Sequence, residues 1–309
     1  MKNFINIRDI SSKDLRKILI DAKSRKKIRN NKNTLEADKD FPLKDKLLIQ
    51  MFEKSSLRTR LSFYLAIRQL GGSAMTLRPD EIHLGRDGEN ISDIAKIVSV
   101  YGDAFMLRTD NEKKLSNFSN YISIPLINGL SPDSHPAQII SDIFTIEEVK
   151  KKKISNLTIC WVGDCNNVLN SLVEASVKLN FLLNIVCPKK YSPKIQTIKY
   201  IKKNKAKVSI FHDANIGVRN ADVIMTDKVI SMNDKVNKND KKKFFLKFRI
   251  NKRLVSKAKR DCIILHCLPR GEEITDQVFH SKQSKVWQQA MNRVHVQKSL
   301  LLYCFGKLR

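Results

Sequence analysis

The sequence predicts an α/β protein made of two parallel-sheet domains. Three observations carry that prediction. Short apolar runs alternate with amphipathic stretches along most of the chain. Several of these runs are apolar at every position, as strands covered on both faces are. The 309 residues, 42% hydrophobic and 29% charged, match two domains of about 100–200 residues each, with enough apolar side chains for a core.

The elements follow in order. Residues 14–26 carry Leu15, Ile18, Leu19 and Ala22 at helical spacing. Residues 30–46 are polar and loop-like. Residues 47–52 (Leu-Leu-Ile-Gln-Met-Phe) read as a buried strand. Residues 58–70 are helical and stop at Gly71-Gly72. A helix over 89–101, a strand over 104–107 and an apolar segment over 124–128 complete an alternating first half. A helix over 136–149, opened by Pro136, joins the halves. In the second half, strands are expected at 157–162, 183–186, 207–211, 222–225 and 262–266. Helical stretches lie between several of them, the first at 168–179. A long helix over 284–305 closes the chain. The pattern is that of two Rossmann-like domains, residues 1–135 and 136–284, with a C-terminal helix (285–309) packing back on the first.

Composition excludes several classes. No apolar run approaches the roughly 20 residues that cross a bilayer, and the first ten residues lack a secretory apolar stretch, so a cytoplasmic location is expected. The six cysteines form no Cys-x-x-Cys pair, which argues against a zinc ribbon or redox dithiol motif. No Gly-x-Gly-x-x-Gly occurs, so no dinucleotide site is read. The net charge of +27, from 58 Lys and Arg against 31 Asp and Glu, raises nucleic-acid binding as an option. The lysine runs carry no interleaved aromatic residues, so a solvated basic surface is the favoured reading. Such a surface also attracts small anionic substrates.

In doubly wound sheets, ligands sit beyond the carboxyl ends of the strands, so the segments after each strand are where chemistry is sought. Residues 52–60 (Phe-Glu-Lys-Ser-Ser-Leu-Arg-Thr-Arg) pass from a strand into a helix. A helix start has unpaired N–H groups and the positive end of a dipole. Ser56 and Thr59 add hydroxyls, and Arg58 adds a planar fork for phosphate. Together they read as an anion cradle without the glycines of a P-loop. A serine-capped helix with exposed arginines explains the segment equally well. His135-Pro136-Ala137-Gln138 follows another strand. It offers an imidazole N–H donor and an amide oxygen acceptor, although a lone histidine is more often structural.

The run Phe-Glu-Lys-x-Ser-x-Arg-Thr-Arg-x-Ser-Phe over 52–63 resembles the aspartate and ornithine carbamoyltransferases, and further motifs extend the resemblance, in family order, across almost the whole chain. It implies that Ser56, Leu57, Arg58 and Thr59 bind carbamoyl phosphate, with Leu57 standing where the family usually has Thr. Arg108, in Met-Leu-Arg-Thr, and His135 and Gln138, in His-Pro-x-Gln, are implied to hold the carbamoyl group. His83, in His-Leu-Gly, stands where ornithine enzymes commonly have Gln; the resemblance implies that it reaches a neighbouring subunit's site and binds carbamoyl phosphate there. Arg293, in Ala-Met-Asn-Arg, matches a further carbamoyl-phosphate contact. Met291 there replaces a Glu, which predicts weaker support for Arg293.

The same resemblance places the acceptor amine in the second half. Asn167, in Gly-Asp-x-x-Asn, and Asp227, Ser231 and Met232, in the Asp…Ser-Met loop, are implied to bind L-ornithine. Val229 and Asn233 depart from a frequent Trp and a Gly. His266-Cys267-Leu268-Pro269 resembles the His-Cys-Leu-Pro segment of the ornithine enzymes, where aspartate enzymes have Pro-Leu-Pro. Cys267 is implied to act beside the reacting amine and carbamoyl group, and Leu268 to accept from the carbamoyl NH2 through its carbonyl. Arg108, His135 and Cys267 are the expected catalytic residues. The implied reaction needs no metal or organic cofactor, and the implied assembly is a homotrimer with shared active sites. Other acceptor amines (putrescine, N-acetylornithine) and a non-catalytic basic binding protein remain open at this point.

Overall fold

The computed structural model describes residues 1–29, 32–78, 89–230 and 238–308. It divides into two compact units, Met1–Phe144 with Ala290–Arg309, and Thr145–Gln289.

The first unit is built on a four-stranded sheet of β1 (Leu47–Phe52), β2 (Ser73–Leu77), β3 (Ala104–Arg108) and β4 (Leu126–Leu130). The order is β2-β1-β3-β4, and every pairing is parallel. Its helices are α1 (Ser12–Ile28), α2 (Leu57–Gln69), α3 (Ile91–Tyr101) and α4 (Glu112–Tyr121). Alternate residues of the central strands (Ile49, Met51, Phe105, Leu107) pack against Ile94, Val98, Leu115 and Phe118 of α3 and α4. The chain start joins the sheet edge, with Phe4 bridging Ile127. Helix α5 (Pro136–Lys150) leaves this unit for the second, and α12 (Val286–Cys304) returns to it. The boundaries of the two compact units therefore fall inside these two helices, at 144/145 and 289/290. A helix continues through a boundary because its own backbone hydrogen bonds do not depend on which core its side chains join.

The second unit holds β5 (Thr158–Val162), β6 (Leu182–Val186), β7 (Val208–Phe211), β8 (Val223–Thr226) and β9 (Ile263–His266). The order is β7-β6-β5-β8-β9, again parallel throughout. Strands β8 and β9 are buried at every residue, as strands covered on both faces must be. Helices α6 (Asn167–Leu179), α7 (Ile195–Lys203), α8 (Ala214–Gly217), α9 (Lys238–Phe245), α10 (Lys252–Val255) and α11 (Asp276–Phe279) fill the connections.

Each sheet has one place where consecutive strands run off in opposite directions. In the first it lies between β1 and β3, in the second between β5 and β8. Such switch points open a crevice at the carboxyl ends of the strands. Strand β2 and helix α4 of the first unit were not foreseen. Strand β2 (Ser-Ala-Met-Thr-Leu) lies at the sheet edge, is not fully buried at any position and shows little apolar alternation. Helix α4 buries only Leu115 and Phe118, too few to announce a helix by periodicity.

Candidate active site

In the first unit the switch crevice collects the residues of the anion cradle. Residues 53–56 connect β1 to α2 and are tied to the end of β3. Glu53 N–H donates to Arg108 O at 3.0 Å. The Glu53 carboxylate accepts from Thr109 Oγ1 and pairs with Lys114 Nζ at 2.6 Å. Ser56 caps α2, its Oγ accepting from Thr59 N–H. The plain serine-cap reading is thus realised, but it does not exhaust the hydroxyl, which keeps its hydrogen to donate. Leu57 side chain is 72% exposed, so at the first helical position it brings only its backbone N–H to the crevice.

Arg108 ends β3 beside a bulge. The register steps from Leu107↔Asn128 to Arg108↔Leu130, passing over Gly129. A Cβ at Gly129 would collide with the Met106 sulfur and crowd Leu107 O, so the skip needs glycine. Beyond it the chain turns back under Asn128, whose Nδ2 donates to Ser134 Oγ at 2.8 Å and to Ile5 O at 3.0 Å. Ser131 N–H donates to Ser134 O at 2.9 Å. This buried knot holds His135 just ahead of α5.

His135 is buried. Its imidazole is held well below the usual histidine range, first by burial and then by Arg293, Arg108 and Arg58. Three arginines from separate segments therefore act on one neutral ring. Arg293, also buried, links the segments physically. Its Nη2 donates to Thr59 Oγ1 at 2.8 Å, and its Nη1 donates to Gln138 Oε1. Gln138 Nε2 in turn donates to Asp142 Oδ1 at 2.8 Å. Helix α12 is pinned on α1, where Lys26 Nζ donates to Asn292 Oδ1 at 2.7 Å and Ser299 Oγ donates to Asp21. Met291 is 62% exposed. The bonds from Arg293 to Thr59 and Gln138 are made without residue 291.

The second unit's crevice collects the acceptor candidates. Gly163 leaves β5 with φ +145°, a conformation that favours glycine. Asn166 caps α6, its Oδ1 accepting from Val168 N–H and Leu169 N–H at 3.0 and 3.2 Å. Its Nδ2 donates to Asp227 Oδ2 at 2.9 Å. Asn167, adjacent, opens the helix itself. Asp227 follows β8, and burial pushes its carboxyl above the ordinary range. Asp164 completes the turn, accepting from the buried Lys241 Nζ at 2.7 Å.

The segment after β9 is fixed by His266. Its Nδ1 accepts from Leu268 N–H at 2.8 Å, so the ring proton sits on Nε2, which donates to Glu273 Oε1 at 2.8 Å. Burial alone would raise Glu273, but the bonds from His266 and Gly271 N–H outweigh it and hold the carboxyl low. The turn keeps Cys267 buried, with its N–H 3.3 Å from Thr226 O. Leu268 adopts φ +56° ahead of a cis peptide to Pro269, a backbone that bulky residues rarely take.

The structure thus gathers Ser56, Leu57, Arg58, Thr59, Arg108, His135, Gln138 and Arg293 in the first unit. Asn167, Asp227, Cys267 and Leu268 belong to the second. His83, Ser231, Met232 and Asn233 lie outside the described residues. Sequence reasoning missed Asn166, Glu273 and the buried Lys241. Only the first carried a signal, its place beside Asn167 in a strand-to-helix turn. Among the described residues no group of three or more His, Cys, Asp or Glu is set to hold a metal ion, and no helix is long and apolar enough to cross a membrane.

Two models of one family match along the chain. Residues 2–148 match the family model described as aspartate/ornithine carbamoyltransferase, carbamoyl-P binding domain. Residues 155–304 match its Asp/Orn binding domain. The chain is 39% identical over 307 residues to the ornithine carbamoyltransferase of Agrobacterium fabrum, covering 99% of this chain and 98% of that one. It is 40% identical to that of Caulobacter vibrioides, again over 99% and 98%. Among solved structures it resembles the ornithine carbamoyltransferase from Pyrococcus furiosus, with TM-score 0.90, 37% identity, and 97% and 96% of the two chains covered. With both halves matched in chain order and relatives similar over nearly every residue, the chain belongs to the aspartate/ornithine carbamoyltransferase family.

Proposed function

We propose that this protein transfers the carbamoyl group of carbamoyl phosphate to the δ-amine of L-ornithine, releasing L-citrulline and phosphate. The observation that carries the reading is the buried neutral His135 ringed by Arg58, Arg108 and Arg293. A dianion with a polar carbonyl is what such a set binds. The arginines and the start of α2 hold the phosphate. Charge builds on the carbonyl oxygen as the amine attacks, and donors fixed beforehand stabilise it without reorganising. A histidine kept neutral serves there as an N–H donor and adds no positive charge to those already present. The Gln138 oxygen, although it accepts from Arg293, has a second lone pair for the carbamoyl NH2.

The second unit supplies the acceptor. Asp227 pairs with the α-ammonium, and Asn167 and the 231–232 loop complete the cradle. Cys267 and Leu268, held by the His266–Glu273 pair, address the amine and the carbamoyl NH2. Asn166 fixes Asp227 from behind. Ornithine rather than aspartate fits a unit that presents Asp227 and the His-Cys-Leu-Pro segment to its acceptor. Residues 1–135 with the closing helix act as the carbamoyl-phosphate domain, and residues 136–284 as the ornithine domain. We further read the working form as a cytoplasmic homotrimer, the assembly that the family resemblance implies. Citrulline-type product formation is measured with ornithine, putrescine, N-acetylornithine and aspartate side by side, each with carbamoyl phosphate. The expected result is turnover with ornithine far above the other three, and a preference for any other amine refutes the reading.

A further inference from the structure

A buried carboxylate of the first unit has no part in the chemistry above. Asp142 lies one helical turn beyond Gln138 on α5 and is fully buried. Its Oδ1 accepts from Gln138 Nε2 at 2.8 Å, while Gln138 Oε1 accepts from Arg293 Nη1. Arg293 Nη2 donates in turn to Thr59 Oγ1 at 2.8 Å. Asp142, Gln138, Arg293 and Thr59 are thus joined in one chain of bonds. All four are buried, and all belong to the first unit.

A side-chain amide has two ends of nearly equal shape and opposite chemistry, and its partners decide which end points where. Here both partners agree. A guanidinium only donates, so Arg293 takes the oxygen; a carboxylate oxygen accepts, so Asp142 takes the NH2. We propose that Asp142 is a positioning residue that keeps the Gln138 oxygen turned toward the reacting group, and so makes the site prefer a carbamoyl phosphate to an acetyl phosphate. The inference rests on the transferase reading, in which that oxygen accepts from the carbamoyl NH2.

The two phosphates differ only in NH2 against CH3, groups of similar size. An amide oxygen held in place pairs with the first and is left facing a methyl by the second. A buried acceptor left without its hydrogen is what rejects such an analogue. Bonds at both ends also polarise the amide, which strengthens its oxygen as an acceptor. Without Asp142, Arg293 alone holds the amide, and the Gln138 NH2 loses a buried partner. The side chain then swings to recover one, and its oxygen leaves the carbamoyl group. A single hydrogen bond corresponds to about tenfold in affinity, so the preference for the carbamoyl group falls by about that factor. The phosphate, held by the arginines and the start of α2, binds nearly as before.

The test uses the full chain and needs no turnover. Calorimetry gives dissociation constants for carbamoyl phosphate, acetyl phosphate and inorganic phosphate. The unaltered protein is expected to hold carbamoyl phosphate at least about tenfold more tightly than acetyl phosphate. In Asp142→Leu that ratio drops by about tenfold, through loss on the carbamoyl side, while inorganic phosphate binds as before. Asp142→Asn keeps an oxygen that accepts from Gln138 Nε2, and it retains most of the ratio. A residue that merely supports the fold weakens all three ligands together in Asp142→Leu, and that result overturns the proposal, as does an unchanged ratio. If leucine is not accommodated, Asp142→Ala removes the same acceptor. The unaltered protein decides on its own as well, since equal affinity for the carbamoyl and acetyl compounds overturns the proposal. A protein that binds none of the three phosphates refutes the transferase reading instead.

Discussion

Replacing Asn166 with serine separates the two tasks of that side chain. Serine is as good a helix cap as asparagine, so α6 keeps its start and the change in stability stays within a few tenths of a kcal/mol. The shorter side chain does not reach Asp227, whose Oδ2 now accepts from Nδ2 at 2.9 Å. A hydrogen bond to a charged group contributes about 1.5–3 kcal/mol, and water recovers part of it. A net loss of about 1.5 kcal/mol is roughly tenfold in ornithine KM. Because the lost bond favoured the ionised carboxylate, the already raised Asp227 rises further. Ornithine binding needs that carboxylate ionised, so the acid limb of ornithine KM moves up in pH. Steady-state kinetics from pH 5.5 to 8.5, with a thermal melt alongside, measures all three effects. An unchanged ornithine KM in Asn166→Ser, or an equal rise in the carbamoyl phosphate KM, refutes the reasoning. Asn166→Ala loses the cap as well, and its melt falls by a further ~1 kcal/mol.

Two further outcomes follow from the first unit. Thr59→Val keeps the shape of a buried residue but removes the acceptor for Arg293 Nη2, at a cost of about 1–3 kcal/mol in stability; thermal unfolding shows this, and Thr59→Ser restores most of it. His135 is held below the ordinary histidine range, so the folded state resists a proton that the unfolded chain takes near pH 6.5. Its share of stability is present above that pH and is lost on acidification, down to the folded value. His135→Gln flattens that decline by up to roughly 1.4 kcal/mol per pH unit, read as the difference between the two proteins' melting curves across pH 7 to 5.

How far the sequence carries can be judged at particular residues. The 47–52 strand and the 58–70 helix were legible because an apolar run and a helical repeat are local signals, and the structure sets them at Leu47–Phe52 and Leu57–Gln69. Ser56 was readable as a cap for the same reason. The link from Arg293 to Gln138 and Thr59 spans 155 and 234 residues, and nothing in the spacing announces it. Reading the Met291 substitution along the sequence therefore leaves both of these supports of Arg293 out. The grip of Asn166 on Asp227 is likewise a product of the β5-β8 neighbourhood, which a strand order fixes and a pattern of apolar residues does not. Strand β2 escaped because edge strands carry little of the apolar signal on which strand assignment depends.

The account's central claim is a division of labour between donor residues in one unit and acceptor residues in the other. Initial rates of Arg58→Ala and Asp227→Ala, with each substrate varied in turn, test it most directly. Loss of a charge-assisted contact of about 1.5–3 kcal/mol predicts at least a roughly tenfold rise in carbamoyl phosphate KM for the first variant, and a similar rise in ornithine KM for the second. In each case the other substrate's KM stays within about twofold, the scatter expected for independent sites. Equal damage to both substrates by either variant contradicts the division.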